Sequence, residues 1–442
     1  MRTIFQKIFR IGDFLVASVL CFLFLIAFLV RKLFGKIQIK TSQNKVLSLT
    51  KDGVYKILEC NGANYFEEDF TRPYADTTYI LFIGDEYPKI FKLGRNIIGL
   101  NLLMPLKKSK QVFPFTLRVI QQIIGFYMTL KLVKKISPKV IEVMFPSKLA
   151  LRALFLKWMV NIKLVTQVRG NLDLIYIFNP FPTFWPFKMV FSPLEVFQIM
   201  WDKFISLLFY RACDCIIGYN VNNFLSAISN GAHPAKTKLS RIKMELSMLT
   251  VKQLEREKIK GLPKTGKIIS LWSRLSPEKL VLESIQAFEK LLNLTSEEVQ
   301  FIIIGDGPEK SRILSYLAKS PCKNLIHLLG VKDREFITQV ALHSSLSLVP
   351  YGGSSLVEAV MLEVPVVAFD IEWHNELIRD GETGLLVDFP DTDHFAQKMF
   401  EVLAYPEEAK ERAKAAKRLA LKMFDVQTID NKEARYFKSL FS

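Results

Sequence analysis

Arg274 and Lys279 stand five residues apart in SRLSPEK (273–279), at the end of the apolar run KIISLWS (267–273). Ser276 can cap a helix there, with Pro277 at its first position and Lys279 in its first turn. A cation in that turn opposes the helix dipole and is mildly unfavourable for folding alone. It makes sense if an anion such as a diphosphate meets the helix end; solvated surface charge is the plain alternative. Downstream, Gly305 and Gly307 bracket Asp306 in GDGPEK (305–310), although a tight strand-to-helix turn asks for glycine anyway. YGGSSLVEA (351–359) then leads Gly352, Gly353, Ser354 and Ser355 into a helix whose first amides can bind phosphate oxygens. Glu358 follows within about a turn. A carboxylate so near phosphates cannot hold them, but it suits paired hydroxyls such as those of a ribose.

The elements around these residues alternate. Apolar β-rich runs at 267–273, 299–305, 326–330, 346–351, 365–370 and 384–388 are separated by helical patterns at 278–292, 308–319 and 354–363. That is a doubly wound α/β domain, whose ligands sit at the carboxyl ends of the strands. In the first half, strands are expected at 77–83, 139–144, 163–168 and 215–219, with a long helix over 114–136 stopped by Ser137-Pro138. The lysine-rich stretch 255–267 reads as a linker. The segment 175–191 interleaves aromatics with Pro180, Pro182 and Pro186, which rules out a regular helix. It is either a loop meeting lipid or a lipid-linked acceptor, or an aromatic cluster inside the first domain.

A length of 442 residues, 50% hydrophobic and 23% charged, suits two packed domains. The divisions expected are 1–40, 41–250, 251–425 and a tail, 426–442, packing back on the domain 41–250. The formal charge of +17 favours anionic partners. Without a nucleic-acid-binding motif, lipid and phosphate rank above nucleic acid. Five scattered cysteines fit a reducing compartment and no disulfide framework; Cys213-Asp214-Cys215 lacks further metal ligands nearby and reads as a buried strand end. Residues 14–30 form an apolar run in which only Ser18 is polar, flanked by Arg2, Lys7 and Arg10 and by Arg31, Lys32, Lys36 and Lys40. The run is just long enough to span a bilayer and lacks a cleavage site, so it reads as a retained anchor or interfacial helix. The heavier charge after it places the catalytic domains in the cytoplasm.

In order and spacing, SRLSPEK, GDGPEK, HLLGV (327–331), VPYGGSSLVEAVMLEVPVVAFD (349–370) and LIRDGETGLLVD (377–388) resemble glycosyltransferase family 4, retaining enzymes of GT-B fold. The resemblance covers 267–425 clearly and the first domain loosely. It implies α/β GT-B architecture: two Rossmann-like doubly wound domains facing a cleft, here behind an N-terminal membrane helix. It implies that Arg274 and Lys279 bind the donor diphosphate and serve catalysis, and that Glu358 binds the ribose. Gly305, Gly307 and Val331, beside the base, complete the donor side, with amides from Gly353, Ser354, Ser355 and Leu356 toward phosphate. Arg169, in QVRGNLD (167–173), stands where the family often has a histidine. The implied activity is transfer of a sugar from a nucleotide-sugar donor without a cofactor; the membrane segment suggests a lipid-linked or membrane-surface glycan as acceptor, and the charge an anionic-lipid partner and no nucleic acid.

The chain also departs from the family. Pro350 occupies the place of the first of two paired glutamates, eight residues before Glu358, so the identity of the sugar does not carry over. IEWHNE (371–376) replaces a glycine pair, and its Trp373 and His374 reshape the sugar pocket or merely vary a surface loop. Of the five histidines only His374 faces the presumed site, as a contact or general acid–base group. Asp391-Thr392-Asp393 precedes a helical pattern and reads as an N-cap rather than a metal motif. Family resemblance implies no protein nucleophile; the enzyme holds both partners and stabilises charge on the leaving oxygen. Two other readings stay open: a GT-B sugar-nucleotide epimerase, separated by incubation with donor alone, and a degenerate scaffold, separated by failure to bind a nucleotide.

Overall fold

The computed structural model describes residues 37–38, 44–49, 75–83, 90–102, 114–144, 148–170, 193–243 and 251–441. Two compact units emerge, the first from Met1–Leu172, Val190–Lys243 and Gln427–Ser442, the second from Asp173–Met189 and Met244–Val426. The aromatic and proline-rich segment 175–191 lies outside the described residues.

The first unit holds β1 (Lys45–Leu49), β2 (Thr77–Ile83), β3 (Ile90–Gly94), β4 (Ile97–Leu102), β5 (Val140–Met144), β6 (Lys163–Val168), β7 (Cys215–Gly218) and β8 (Thr237–Leu239). They form one sheet in the order β3-β4-β2-β1-β5-β6-β7-β8, parallel except where β3 meets β4. Helices α1 (Pro114–Ile136), α2 (Lys148–Met159), α3 (Pro193–Ala212) and α4 (Val221–Ser229) accompany it. Parallel strands are covered on both faces, which is why β7 is buried at every position. Asp214 accepts from Lys157 Nζ at 2.6 Å and from the Leu164 amide at 2.7 Å, tying β7 to its neighbours. Burial pushes the Cys215 thiol up to about 12, so it is an inert packing group.

The second unit has β9 (Lys267–Trp272), β10 (Val299–Ile304), β11 (Ile326–Leu328), β12 (Ser344–Val349), β13 (Val366–Phe369) and β14 (Leu385–Val387). All are parallel, in the order β11-β10-β9-β12-β13-β14. Helices α5 (Val281–Leu291), α6 (Lys310–Leu317), α7 (Arg334–Leu342), α8 (Ser354–Met361), α9 (His374–Leu377), α10 (Thr392–Ala404) and α11 (Pro406–Met423) connect or cover them. The strand order reverses between β9 and β12, and in such sheets ligands bind at that switch point, beyond the strand carboxyl ends. The stretch 255–267 is no free linker. Its Arg256 guanidinium donates to the carbonyls of Pro263, Thr265 and Gly266 within the stretch, and Ile259 and Leu262 are buried in the core of this unit.

α12 (Val426–Phe441) buries Phe437 and Leu440 against Val46, Val140, Val165 and Ile217 of the first unit. Lys139 Nζ donates to Phe441 O at 2.8 Å, and Ser240 Oγ to Glu433 Oε1 at 3.2 Å.

The membrane placement is corrected. Among the described residues no helix is long and apolar enough to cross a membrane. The run 14–30 on which the anchor and the cytoplasmic orientation rested lies outside the described residues. The lipid-linked acceptor rested on that anchor and loses its support with it; the anionic-lipid partner rests on the net charge alone.

Candidate active site

The site is assembled from loops at the carboxyl ends of β9, β10, β12 and β13. After β9 the expected helix start is delayed. Residues Pro277–Lys279 close a 3-10 turn, Leu280 takes a left-handed φ of 51°, and α5 begins only at Val281. Ser276 therefore caps nothing. Its hydroxyl accepts from Arg274 Nε at 3.2 Å and donates to Glu278 Oε1 at 2.6 Å, while Arg274 pairs with the same carboxylate at 2.5 Å. Burial pushes the Glu278 carboxyl up, but the hydrogen bonds from Ser276 and Arg274 outweigh it and leave the group below its ordinary value.

Lys279 thus precedes α5 instead of sitting in its first turn, and its side chain crosses the switch point. Nζ donates to Tyr351 O at 3.2 Å and Gly352 O at 3.5 Å, and lies 5.0 Å from the centroid of the Tyr351 ring. A Cβ at Gly353 would lie 3.6 Å from it. Burial lowers the lysine pKa, and the nearby Glu278 and Glu372 carboxylates oppose that shift. Gly353 opens α8, and no side chain caps that helix. The amides of Ser354, Ser355 and Leu356 open its first turn, where they have no intrahelical acceptor. A cation and the positive end of a helix dipole thus meet at one place, which an anion would neutralise.

Gly352 is held by the loop after β13. The buried His374 ring has Nδ1 2.7 Å from Phe369 O, a group that can only accept, so Nδ1 carries the proton. Nε2 is then the acceptor for the Gly352 amide, at 2.5 Å. A Cβ at Gly352 would lie 2.4 Å from Nε2, so only glycine fits. Burial drives the His374 pKa down to about 4 and keeps the ring neutral. With both nitrogens engaged inside the protein, His374 is a positioning group, not the general acid–base residue or substrate contact expected.

Gly305 and Gly307 also position rather than offer amides. Gly305 N donates to Gly330 O at 2.9 Å and Gly307 N to Asp306 Oδ1 at 2.7 Å. With φ at +142° and a Cβ destined for 1.8 Å from Ser273 O, Gly305 lets the β10 loop lie against the loop carrying Arg274. Val331 is 76% exposed beyond β11. Glu358 is mostly buried; Trp272 Nε1 donates to its Oε2 at 2.8 Å, and Arg334 lies 3.9 Å from Oε1. Arg169 belongs to the first unit, beyond β6. It donates to Gln167 Oε1 at 2.9 Å and its guanidinium stacks 5.2 Å from the Tyr219 ring centroid. Asp391 caps α10 by accepting from the amides of Asp393 and His394.

Sequence reasoning passed over Trp272, Arg334, Tyr351 and Glu372. Trp272 reads as an ordinary strand residue, and Glu372 becomes notable only through its backbone: it holds φ at 53°.

Residues 252–419 match the family model described as Glycosyl transferases group 1. Over 145 residues the chain is 34% identical to an exopolysaccharide phosphotransferase of Streptomyces coelicolor, covering 31% of this chain and 15% of that protein. It is also 28% identical, over 145 residues, to N-acetyl-alpha-D-glucosaminyl L-malate synthase of Bacillus anthracis, covering 32% of this chain and 38% of that protein. The chain thus spans well under half the length of these curated relatives. The solved structure of Anabaena HepE in complex with UDP and glucose aligns with a TM-score of 0.65 at 17% identity, covering 89% of this chain and 99% of that one. Residues 252–419 are thus similar to group 1 glycosyl transferases, and the chain has an α/β fold of the GT-B class.

Proposed function

We propose that this chain is a retaining glycosyltransferase of the family 4 type, acting in glycan or polysaccharide assembly. It moves a sugar from a uridine diphosphate sugar to a hydroxyl of a glycan acceptor. The observation that carries this reading is the Lys279 ammonium, held by the carbonyls of Tyr351 and Gly352 beside the uncapped start of α8. That arrangement suits a diphosphate. Glu358, steadied by Trp272, suits the ribose hydroxyls. HepE, of like fold, is complexed with UDP and glucose, which supports uridine as the base. The Bacillus anthracis relative is named for an alpha-glucosaminyl product, which supports retention of configuration.

In this mechanism the bond from the sugar C1 to the diphosphate oxygen breaks as the acceptor oxygen bonds to C1 on the same face. The acceptor proton passes to the departing phosphate oxygen. Arg274 and Lys279 offset the charge gathering there, so the protein supplies no nucleophile and no metal cofactor.

Calorimetry with UDP and a panel of UDP-sugars, followed by transfer assays with anomeric analysis of the product, tests the proposal. Binding of UDP and an α-linked product in the presence of chelator are expected. Absence of UDP binding overturns the transferase reading, and a β-linked product overturns retention. Activity lost in chelator and restored by manganese overturns the metal-free step.

A further inference from the structure

The loop after β13 contains a carboxylate that the mechanism above does not use. Glu372 holds a left-handed backbone, φ 53°, a conformation that glycine adopts freely and other residues adopt at a cost. Such strain persists where neighbours over-determine it, and it concentrates at ligand sites. The Glu372 carboxylate belongs to the cluster that Tyr351 and Lys279 form at the switch point. It hydrogen-bonds the Tyr351 side chain and raises the charge affinity of Lys279, whose Nζ lies over the same Tyr351 ring. Two residues on, His374 fixes this loop to the start of the β12–α8 turn through the Gly352 amide. Glu372 therefore stands beside the diphosphate-binding lysine and on a different loop from Glu358, the residue assigned to the ribose. A carboxylate next to phosphates repels them and is useless for holding them. It is well suited to accept hydrogen bonds from the hydroxyls of the group that the diphosphate carries.

We propose that Glu372 binds the donor sugar, accepting from hydroxyls of a neutral hexosyl or N-acetylhexosaminyl group while Tyr351 steadies it. The inference rests on the transferase reading and specifies what that site selects. Glu372 then disfavours donors whose sugar carries its own carboxylate.

The test compares the full chain with Glu372→Gly and Glu372→Gln, measuring affinity for UDP alone and for UDP-glucose, UDP-galactose and UDP-N-acetylglucosamine, together with kcat, KM and melting temperature. Glycine removes the side chain and relieves the backbone, so Glu372→Gly should melt no lower than the parent. In both variants UDP affinity should hold within about threefold or tighten. Affinity for the preferred UDP-sugar should fall at least ~10-fold relative to UDP, and kcat/KM should fall further. If Glu372 only balances the charge of Lys279, affinities for UDP and UDP-sugar will shift together and their ratio will stay within about twofold, which overturns the inference. A parent chain that binds neither UDP nor any UDP-sugar overturns the underlying transferase reading instead.

Discussion

Two polar clusters in the second unit invite comparison, one at each edge of the same sheet. Toward the amino-terminal edge, a hollow of about 930 Å³ is lined by Glu289, Tyr316, Cys322, Asn324 and neighbouring residues. Its carboxylate is satisfied from within: Tyr316 OH donates to Glu289 Oε2 at 2.6 Å and Ser320 Oγ to Oε1 at 2.5 Å. Burial and then Glu289 push the Tyr316 hydroxyl up to about 12, and burial raises the Cys322 thiol. Neither group ionises near neutral pH. At the carboxyl edge the reverse holds. Lys279 is half-buried against carbonyls beside an uncapped helix, and Glu372 is held in a backbone conformation unfavourable for it. Volume and polarity mark the first cluster; charge kept in readiness marks the second. Physical chemistry favours the second as the place where a substrate changes the energy most.

That contrast can be broken most sharply by removing the cations. Lys279→Ala and Arg274→Ala should each lower turnover ~100- to ~1,000-fold, about 2.7–4 kcal/mol of barrier, with circular dichroism unchanged. Near-parental rates in both would end the assignment. Lys279→Ala should also weaken UDP more than Arg274→Ala, because Arg274 is 68% exposed and already paired with Glu278.

Acid should reach the carboxyl edge through His374. Its pKa in the folded protein, about 4, lies below the ordinary 6.5, so the fold holds the neutral ring. The unfolded chain takes up that proton first as pH falls. Stability from this group is therefore complete above about pH 6.5 and is lost as pH falls toward 4, by at most about 3 kcal/mol. Chemical denaturation from pH 7 to pH 4.5 reads this directly. His374→Gln should be less stable at pH 7 and should lack the His374 component of the slope; an unaltered slope would remove His374 from the account.

At the amino-terminal edge the expected effect is smallest. Glu289→Ala should cost about 1 kcal/mol of stability by leaving the Tyr316 and Ser320 donors without their acceptor. Turnover should stay within about twofold. A large loss of turnover at unchanged stability would reverse the roles given to the two edges.

Much of the α/β pattern was legible in single runs of residues. VQFIII at Val299–Ile304 is buried at all positions, and apolar β-branched runs between glycine turns announce such strands. The helix Pro114–Ile136 ends where Ser137-Pro138 forbids continuation. Arg274, Lys279 and Glu358 stood out because charge near a strand end or helix start has a physical meaning within a few residues. The start of α5 was misjudged for a local reason that composition hides: Leu280 goes left-handed and separates Lys279 from the helix. His374 was misassigned because a histidine in a loop carries no signal of its burial. Only the Phe369 carbonyl and the Gly352 amide, brought to it by tertiary packing, decide its tautomer and task.

By itself, then, the sequence determined an alternating parallel architecture and a short set of charged residues at strand ends, because hydrophobic period and turn chemistry act over a few residues. Tertiary structure alone decided that β9 lies beside β12, across more than 70 residues of chain, so that Lys279 reaches Tyr351 and Trp272 reaches Glu358. Strand order, burial and the backbone strain at Glu372 arise from contacts between distant segments, and no local pattern of residues encodes those.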